Sequence, residues 1–230
     1  MNVLNFDLGN FRSDKNKHNR VLPSSIRCII CGVAECGKTN LMFNFLLWLK
    51  FSKLYVFSRT LFQSKYEILK GIFEEIEREL GKKVSFFVNN NEEVPPPEKL
   101  FDKNDDSNTV FVFDDVMIDK QNNIEKYFAQ GRHSNVDCFY LCQTFSRIPK
   151  RVIRDNANLL ILFKQDEMNL KHVYNNHVGT DMSYHEFWDV CKTCWNDDER
   201  PYGFLSIDKT KSIKEGRYKN RFDETFIFKK

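Results

Sequence analysis

Three things are scarce in this 230-residue sequence: apolar length, net charge and any cysteine framework. The longest apolar stretch, Leu41 to Leu49, is interrupted by Asn44 and is far shorter than the roughly 20 residues a membrane-spanning helix needs. Residues 1–20 are polar and charged and lack the apolar centre of a signal peptide, so an intracellular protein with no membrane partner is expected. Seven cysteines make an odd number without secreted-type spacing, and they read as reduced, small apolar residues of a cytosolic or nuclear protein. A formal net charge of +3 does not announce nucleic acid by itself. The distribution says more, because residues 209–230 hold eight basic and three acidic side chains. Such a segment suits either a solvated tail or a neighbour of a phosphate backbone. No internal repeat is visible. A hydrophobic fraction of 41% with 22 Phe allows the sizeable core of one α/β domain.

What is present is more specific. Gly32-Val33-Ala34-Glu35-Cys36-Gly37-Lys38-Thr39 fits the phosphate-loop pattern G-x-x-x-x-G-K-[ST]. An apolar strand candidate, residues 26–31, precedes it, and a helix candidate beginning at Asn40 follows. That context gives the loop its chemistry: successive backbone N–H groups point into a concavity at a helix N-terminus, where amides and dipole both favour anions. Gly32 and Gly37 permit the close approach. Lys38 is expected to reach the β- and γ-phosphates of ATP, and the Thr39 hydroxyl to ligate Mg²⁺. The nucleotide-binding set is therefore Gly32 through Thr39, with Asn40 beside it.

Strand and helix candidates alternate downstream. Strands are expected at residues 53–58, 84–88, 109–113, 136–142 and 158–163, and helices at 64–80 and 122–130. In the first helix, Ile68, Leu69, Ile72, Phe73, Ile76 and Leu80 recur at helical spacing and read as a core face ending at Gly81. Unbroken apolar strands suit a parallel sheet buried on both faces. The expected fold is thus an α/β three-layer P-loop NTPase with a mainly parallel sheet and right-handed crossovers. Residues 1–22 read as an arm, 23–208 as the ATPase domain with a helical elaboration at 166–200, and 209–230 as a basic tail. A last strand is expected near 202–207.

ATP hydrolysis also needs a carboxylate at the end of a buried strand. The run Thr109-Val110-Phe111-Val112-Phe113 rises into Asp114-Asp115. Asp114 is the metal-side candidate and Asp115 the group to polarise the attacking water. Many hydrolytic sites place the longer Glu second. The next apolar strand ends at Gln143-Thr144, which a parallel sheet carries to the same edge, so Gln143 is a candidate γ-phosphate sensor. Basic residues Arg132, Arg147, Lys150, Arg151 and Arg154 surround that strand, and by position both Arg132 and Arg154 qualify as an arginine finger acting on a neighbouring subunit.

Three stretches resemble a known family: Gly131-Arg132-His133-Ser134-Asn135-Val136-Asp137, the strand ending in Gln143-Thr144, and the tract from Ile148 to Asn158 with its Ile153-Arg154-Asp155-Asn156 core. In motif order, residues 24–165 resemble the viral genome-packaging ATPases of the FtsK–HerA superfamily. This is the poxvirus-like type, found also in other large DNA viruses and in virus-like self-synthesising transposons. The resemblance implies a RecA-like core, a homo-oligomeric ring, ATP-driven movement of double-stranded DNA into a preformed capsid, and capsid or portal-vertex partners at sites of virion assembly in the host cytoplasm or nucleus. It supports Lys38, Thr39, Asp114, Asp115 and Gln143 in the roles above, and favours Arg132 over Arg154 as the trans-acting arginine. It assigns no motif to the last 65 residues.

Other readings are weaker. Cys191-x-x-Cys194 falls in a helix candidate beside Trp188 and Trp195, so packed cysteines are favoured over zinc. No glycine follows Asp114 as a guanine-nucleotide switch requires, and nothing after Gln143 resembles a kinase lid. A nucleotide-switched assembly factor with little turnover, and a DNA pump or helicase outside any virus, stand as rivals to the packaging motor.

Overall fold

The computed structural model describes residues 18, 21–89, 94–100, 108–118, 120–196 and 201–228, and the side chains of Glu98, Arg132 and His133 lie outside that description. Strand β1 (Arg27–Cys31) and helix α1 (Lys38–Trp48) flank the glycine loop. Next come β2 (Lys53–Ser58), α2 (Ser64–Leu80), β3 (Ser85–Val88), β4 (Thr109–Asp114), α3 (Asn122–Gln130) and β5 (Val136–Cys142). The chain continues through β6 (Leu159–Phe163), α4 (Glu167–Val173), α5 (Tyr184–Trp195) and β7 (Phe204–Asp208). Two short strands, β8 (Tyr218–Asn220) and β9 (Glu224–Thr225), close the list of described elements.

These strands form one sheet in the order β3-β2-β4-β5-β1-β6-β7-β8-β9. The six from β3 to β6 run parallel, and β7, β8 and β9 add on antiparallel. Where the sequence suggests a basic tail after residue 208, the chain turns back into the sheet: Tyr218 is buried against Ile207 and rings with Phe228. The parallel strands are covered on both faces, as their unbroken apolar runs require. Alternation along β1 divides the core. Ile29 and Cys31 join Phe111, Phe113 and Tyr127 under α3, α4 and α5. Cys28 and Ile30 join Met42, Phe45 and Leu69 under α1 and α2.

Helix α2 departs from its expected role. Leu69 and Phe73 are buried, but Ile68 is 65%, Ile72 52% and Leu80 54% exposed. Together with Leu47 of α1 they line an apolar groove of about 610 Å³. The helical periodicity marks two adjoining stripes, only one of which meets the sheet.

The edge opposite the phosphate loop is pinned by Asp137, whose buried carboxylate accepts hydrogen bonds from the Ile26 amide (2.7 Å) and Asn108 Nδ2 (2.6 Å). His18 Nε2 meets the same carboxylate at 2.8 Å, and His18 Nδ1 accepts from the Lys50 amide. His18 and Leu22 are buried, so the described end of the amino-terminal arm is part of the domain.

Candidate nucleotide site

Parallel strands bring β1, β4, β5 and β6 to an end on one sheet edge, and the phosphate loop, Asp114, Asp115 and Gln143 collect there. Gly32 follows β1 and its amide donates to the Cys142 carbonyl at 3.1 Å. A Cβ at Gly32 would fall 2.4 Å from Cys36 Sγ and 2.6 Å from Phe163 Cβ, so only glycine fits between the loop and β6. Gly37, at φ +101°, caps α1 in the left-handed region. Glu35 also has positive φ (60°), which bends the loop back on itself.

Lys38 folds over the loop, its Nζ donating to the carbonyls of Gly32 and Val33 at 2.7 Å each. Those carbonyls hold the ammonium where phosphate oxygens of a bound triphosphate would compete for it. Cys36 Sγ lies 3.9 Å from Nζ, and its thiol is raised by burial despite the neighbouring lysine.

Asp114, the last residue of β4, faces this loop. Its Oδ2 accepts from Thr39 Oγ1 at 3.3 Å and, more closely, from the Tyr66 hydroxyl. Burial pushes the Asp114 carboxyl up, while the Tyr66 hydrogen bond and the Lys38 charge hold it down. The hydroxyl of Thr39 and this carboxylate are hard oxygen donors that converge, which fits Mg²⁺. Tyr66, from the first turn of α2, is buried and edge-on to Phe43; burial and then Asp114 push its own pKa up, so it stays a donor. No sequence motif pointed to Tyr66. Its signal would have been a tyrosine at the core-facing start of the helix after β2.

Asp115 is exposed, at φ +57°, just beyond β4. The chain thus leaves β4 through a left-handed residue whose side chain is open to solvent. Gln143 is exposed one residue past β5, and its carbonyl accepts from Cys31 Sγ at 3.8 Å. A second glutamine was missed: Gln165, two residues past β6, is buried, accepts from Cys31 Sγ at 3.5 Å and donates to the Phe163 carbonyl at 3.1 Å. Cys31 therefore links the ends of β1, β5 and β6.

The backbone of Arg132 lies in the short turn Gly131–Ser134 ahead of β5, and its side chain is outside the described residues. Arg154 differs from the expected loop arginine. It ends a π-helical turn, Lys150–Arg154, is 7% exposed, and places its guanidinium 5.3 Å from the centre of the Phe145 ring. It lies five residues before β6 starts. Arg147, Lys150 and Arg151 in the same tract are exposed. Cys191 and Cys194 are buried on α5, and among the described residues no group of three His, Cys, Asp or Glu side chains could hold a metal.

The glycine loop between β1 and α1, with β5 separating β1 from the carboxylate strand β4, defines the P-loop NTPase fold. Solved structures agree with it. The genome packaging NTPase B204 of Sulfolobus turreted icosahedral virus 2, in complex with ATPγS, superimposes with a TM-score of 0.55 at 15% identity, over 88% of this chain and 98% of that one. B204 of Sulfolobus turreted icosahedral virus, described as a DNA-packaging ATPase, gives 0.53 at 16% identity, over 80% and 92%. These two neighbours are viral genome-packaging NTPases, at a low identity that speaks for the fold. Neither a protein-family model nor a curated protein matches the sequence.

Proposed function

We propose that this chain is the ATP-hydrolysing subunit of a ring-shaped motor that drives double-stranded DNA into a preformed viral capsid. The convergence of Lys38, Thr39 and Asp114 on one sheet edge carries the nucleotide half of that reading. The likeness in fold to B204, solved with an ATP analogue, supports the packaging half. The amides of residues 32–39 and the Lys38 ammonium bind the triphosphate. Thr39 and Asp114 would hold Mg²⁺, which when bound neutralises charge on the β- and γ-phosphates. Asp115 orients the attacking water, and Gln143 senses the γ-phosphate and relays its loss into the tract that follows β5. Arg132 of one subunit steadies the transition-state charge in the next. Exposed Arg147, Lys150 and Arg151 grip DNA phosphates without reading sequence, so binding falls steeply with salt. Capsid or portal-vertex proteins are the remaining partners. Among the described residues no helix is long and apolar enough to cross a membrane.

One observation favours the second reading, a nucleotide-switched assembly factor. The base of this reading is the short Asp115, which is exposed in a left-handed turn just past β4. ATP turnover with and without long duplex DNA separates the two. The motor requires DNA-stimulated hydrolysis that Lys38→Ala and Arg132→Ala both abolish. Mixing wild-type and Arg132→Ala subunits should poison activity beyond the mutant fraction. Tight ATP binding without turnover, with or without DNA, would leave the switch.

A further inference from the structure

Tyr202 stands just before β7, whose first residue Phe204 pairs with Phe163 at the end of β6. That places Tyr202 at the phosphate-loop edge, on the side of β1 away from β5 and the Asp114 strand. The two residues are close: Tyr202 Cδ1, Cβ and Cγ lie 3.3, 3.4 and 3.4 Å from where a Cβ on Gly37 would sit. The residue is nonetheless 61% exposed, so these atoms rest on the start of α1 while much of the side chain faces solvent.

Its backbone is unusual as well. Tyr202 has φ +62°, a region that a bulky side chain rarely enters. The next residue explains how it is held. A Cβ on Gly203 would fall 1.9 Å from the Cys194 carbonyl oxygen, so the chain is pressed against the end of α5. Packing thus holds an exposed aromatic in a strained conformation beside the loop, where neither core burial nor turn chemistry calls for one.

We propose that Tyr202 is the stacking platform for the nucleobase of the bound triphosphate. This rests on the reading of Gly32 to Thr39 as a nucleoside triphosphate site. With the phosphates on the loop amides, the terminal phosphate faces Asp114, Asp115 and Gln143 on the β4–β5 side. The sugar and base then leave toward β6 and β7, where Tyr202 stands. A base offers a flat π-face, and stacking on a phenol ring stabilises it whatever its hydrogen-bonding edge. The site therefore holds purine nucleotides with little discrimination between adenine and guanine.

Calorimetric titration of the full chain with Mg-ATP, Mg-GTP and inorganic tripolyphosphate tests this. The variants are Tyr202→Ala, Tyr202→Gly and Tyr202→Phe. Glycine accepts the backbone angle without strain, so it separates loss of the ring from damage to the turn. ATP and GTP affinity should fall roughly 10-fold in the Ala and Gly variants and stay unchanged in the Phe variant. Tripolyphosphate should bind all four proteins alike. Unchanged ATP affinity without the ring would overturn the inference. Equal loss of ATP and tripolyphosphate would also overturn it, since Tyr202 would then only prop the loop. Loss in the Phe variant would replace stacking with a contact from the hydroxyl. A wild-type chain that binds neither ligand would instead overturn the phosphate-loop reading, and this inference with it.

Discussion

At the scale of single residues, the proposed chemistry turns on Asp114 being ionised in a place that resists it. Burial raises its pKa, and the first influence opposing that rise is the hydrogen bond from Tyr66, ahead of the charge on Lys38. A donor to a carboxylate stabilises the charged form by about 1.5–3 kcal/mol, so removing it should move the ionisation upward by roughly one pH unit or more. On the proposed reading, in which Asp114 would hold Mg²⁺ as a carboxylate, ATP turnover is lost as pH falls through the Asp114 pKa. In Tyr66→Phe that acid limb should shift to higher pH, with the rate at the plateau much less affected. A pH–rate profile of the two proteins is the measurement. A variant that lowered the rate equally at every pH would make Tyr66 a packing residue only. Tyr66 was not legible in the sequence because its role depends on α2 and β4 meeting across 48 positions, and a lone tyrosine in an amphipathic helix reads as core.

Elements show where periodicity carries information and where it stops. The strand, loop and helix around Gly32 were legible, because the phosphate-loop spacing and the unbroken apolar run of β1 each demand one geometry. The limits of α2, α3 and β5 follow from their sequences residue by residue. Burial did not. The apolar positions of α2 fill a wide face, and only its Leu69–Phe73 stripe meets the sheet, because α1 lies alongside and leaves the other stripe open. Packing tells the two apart: Phe73→Ala should cost about 3–5 kcal/mol of stability through transfer and cavity terms. Ile72→Glu, on the open stripe, should stay within about 0.5 kcal/mol. Urea unfolding midpoints for both variants check this, and a large loss in Ile72→Glu would mean that the open stripe is covered in solution. The residues after 208, which pair into the sheet, read as a tail for a related reason. Strands β8 and β9 are only three and two residues long and lie among charged residues, so they resemble a tail when read alone.

Across the whole molecule, one buried histidine ties the tract after β5 to the carboxy-terminal strands. His177 is edge-on to Phe145, whose ring also carries Arg154, and the His177 carbonyl accepts from Arg217 Nη2 at 3.0 Å. Its Nε2 is buried without a partner. Burial, with the positive charges of Lys209, Arg154 and Arg217 around it, holds its pKa down to about 3. Arg217 in turn meets the Asp181 carboxylate, 3.0 Å from its Nε. The unfolded chain takes up a proton at His177 near the ordinary value of 6.5, whereas the folded chain resists until about 3. Between those values the unfolded state binds more protons, so the stability present above pH 6.5 is lost as pH falls, by up to about 1.4 kcal/mol per pH unit. Denaturant midpoints measured from pH 7 to pH 4.5 should therefore drop, and His177→Leu should flatten the drop while leaving the pH 7 value close to wild type. Because Asp114 and the other carboxylates are common to both proteins, the difference between the two slopes isolates His177. Equal slopes would show that this joint does not set the acid sensitivity of the domain. A shallower slope in the variant would place the acid-sensitive point of the fold at His177, between the tract that follows β5 and the antiparallel strands.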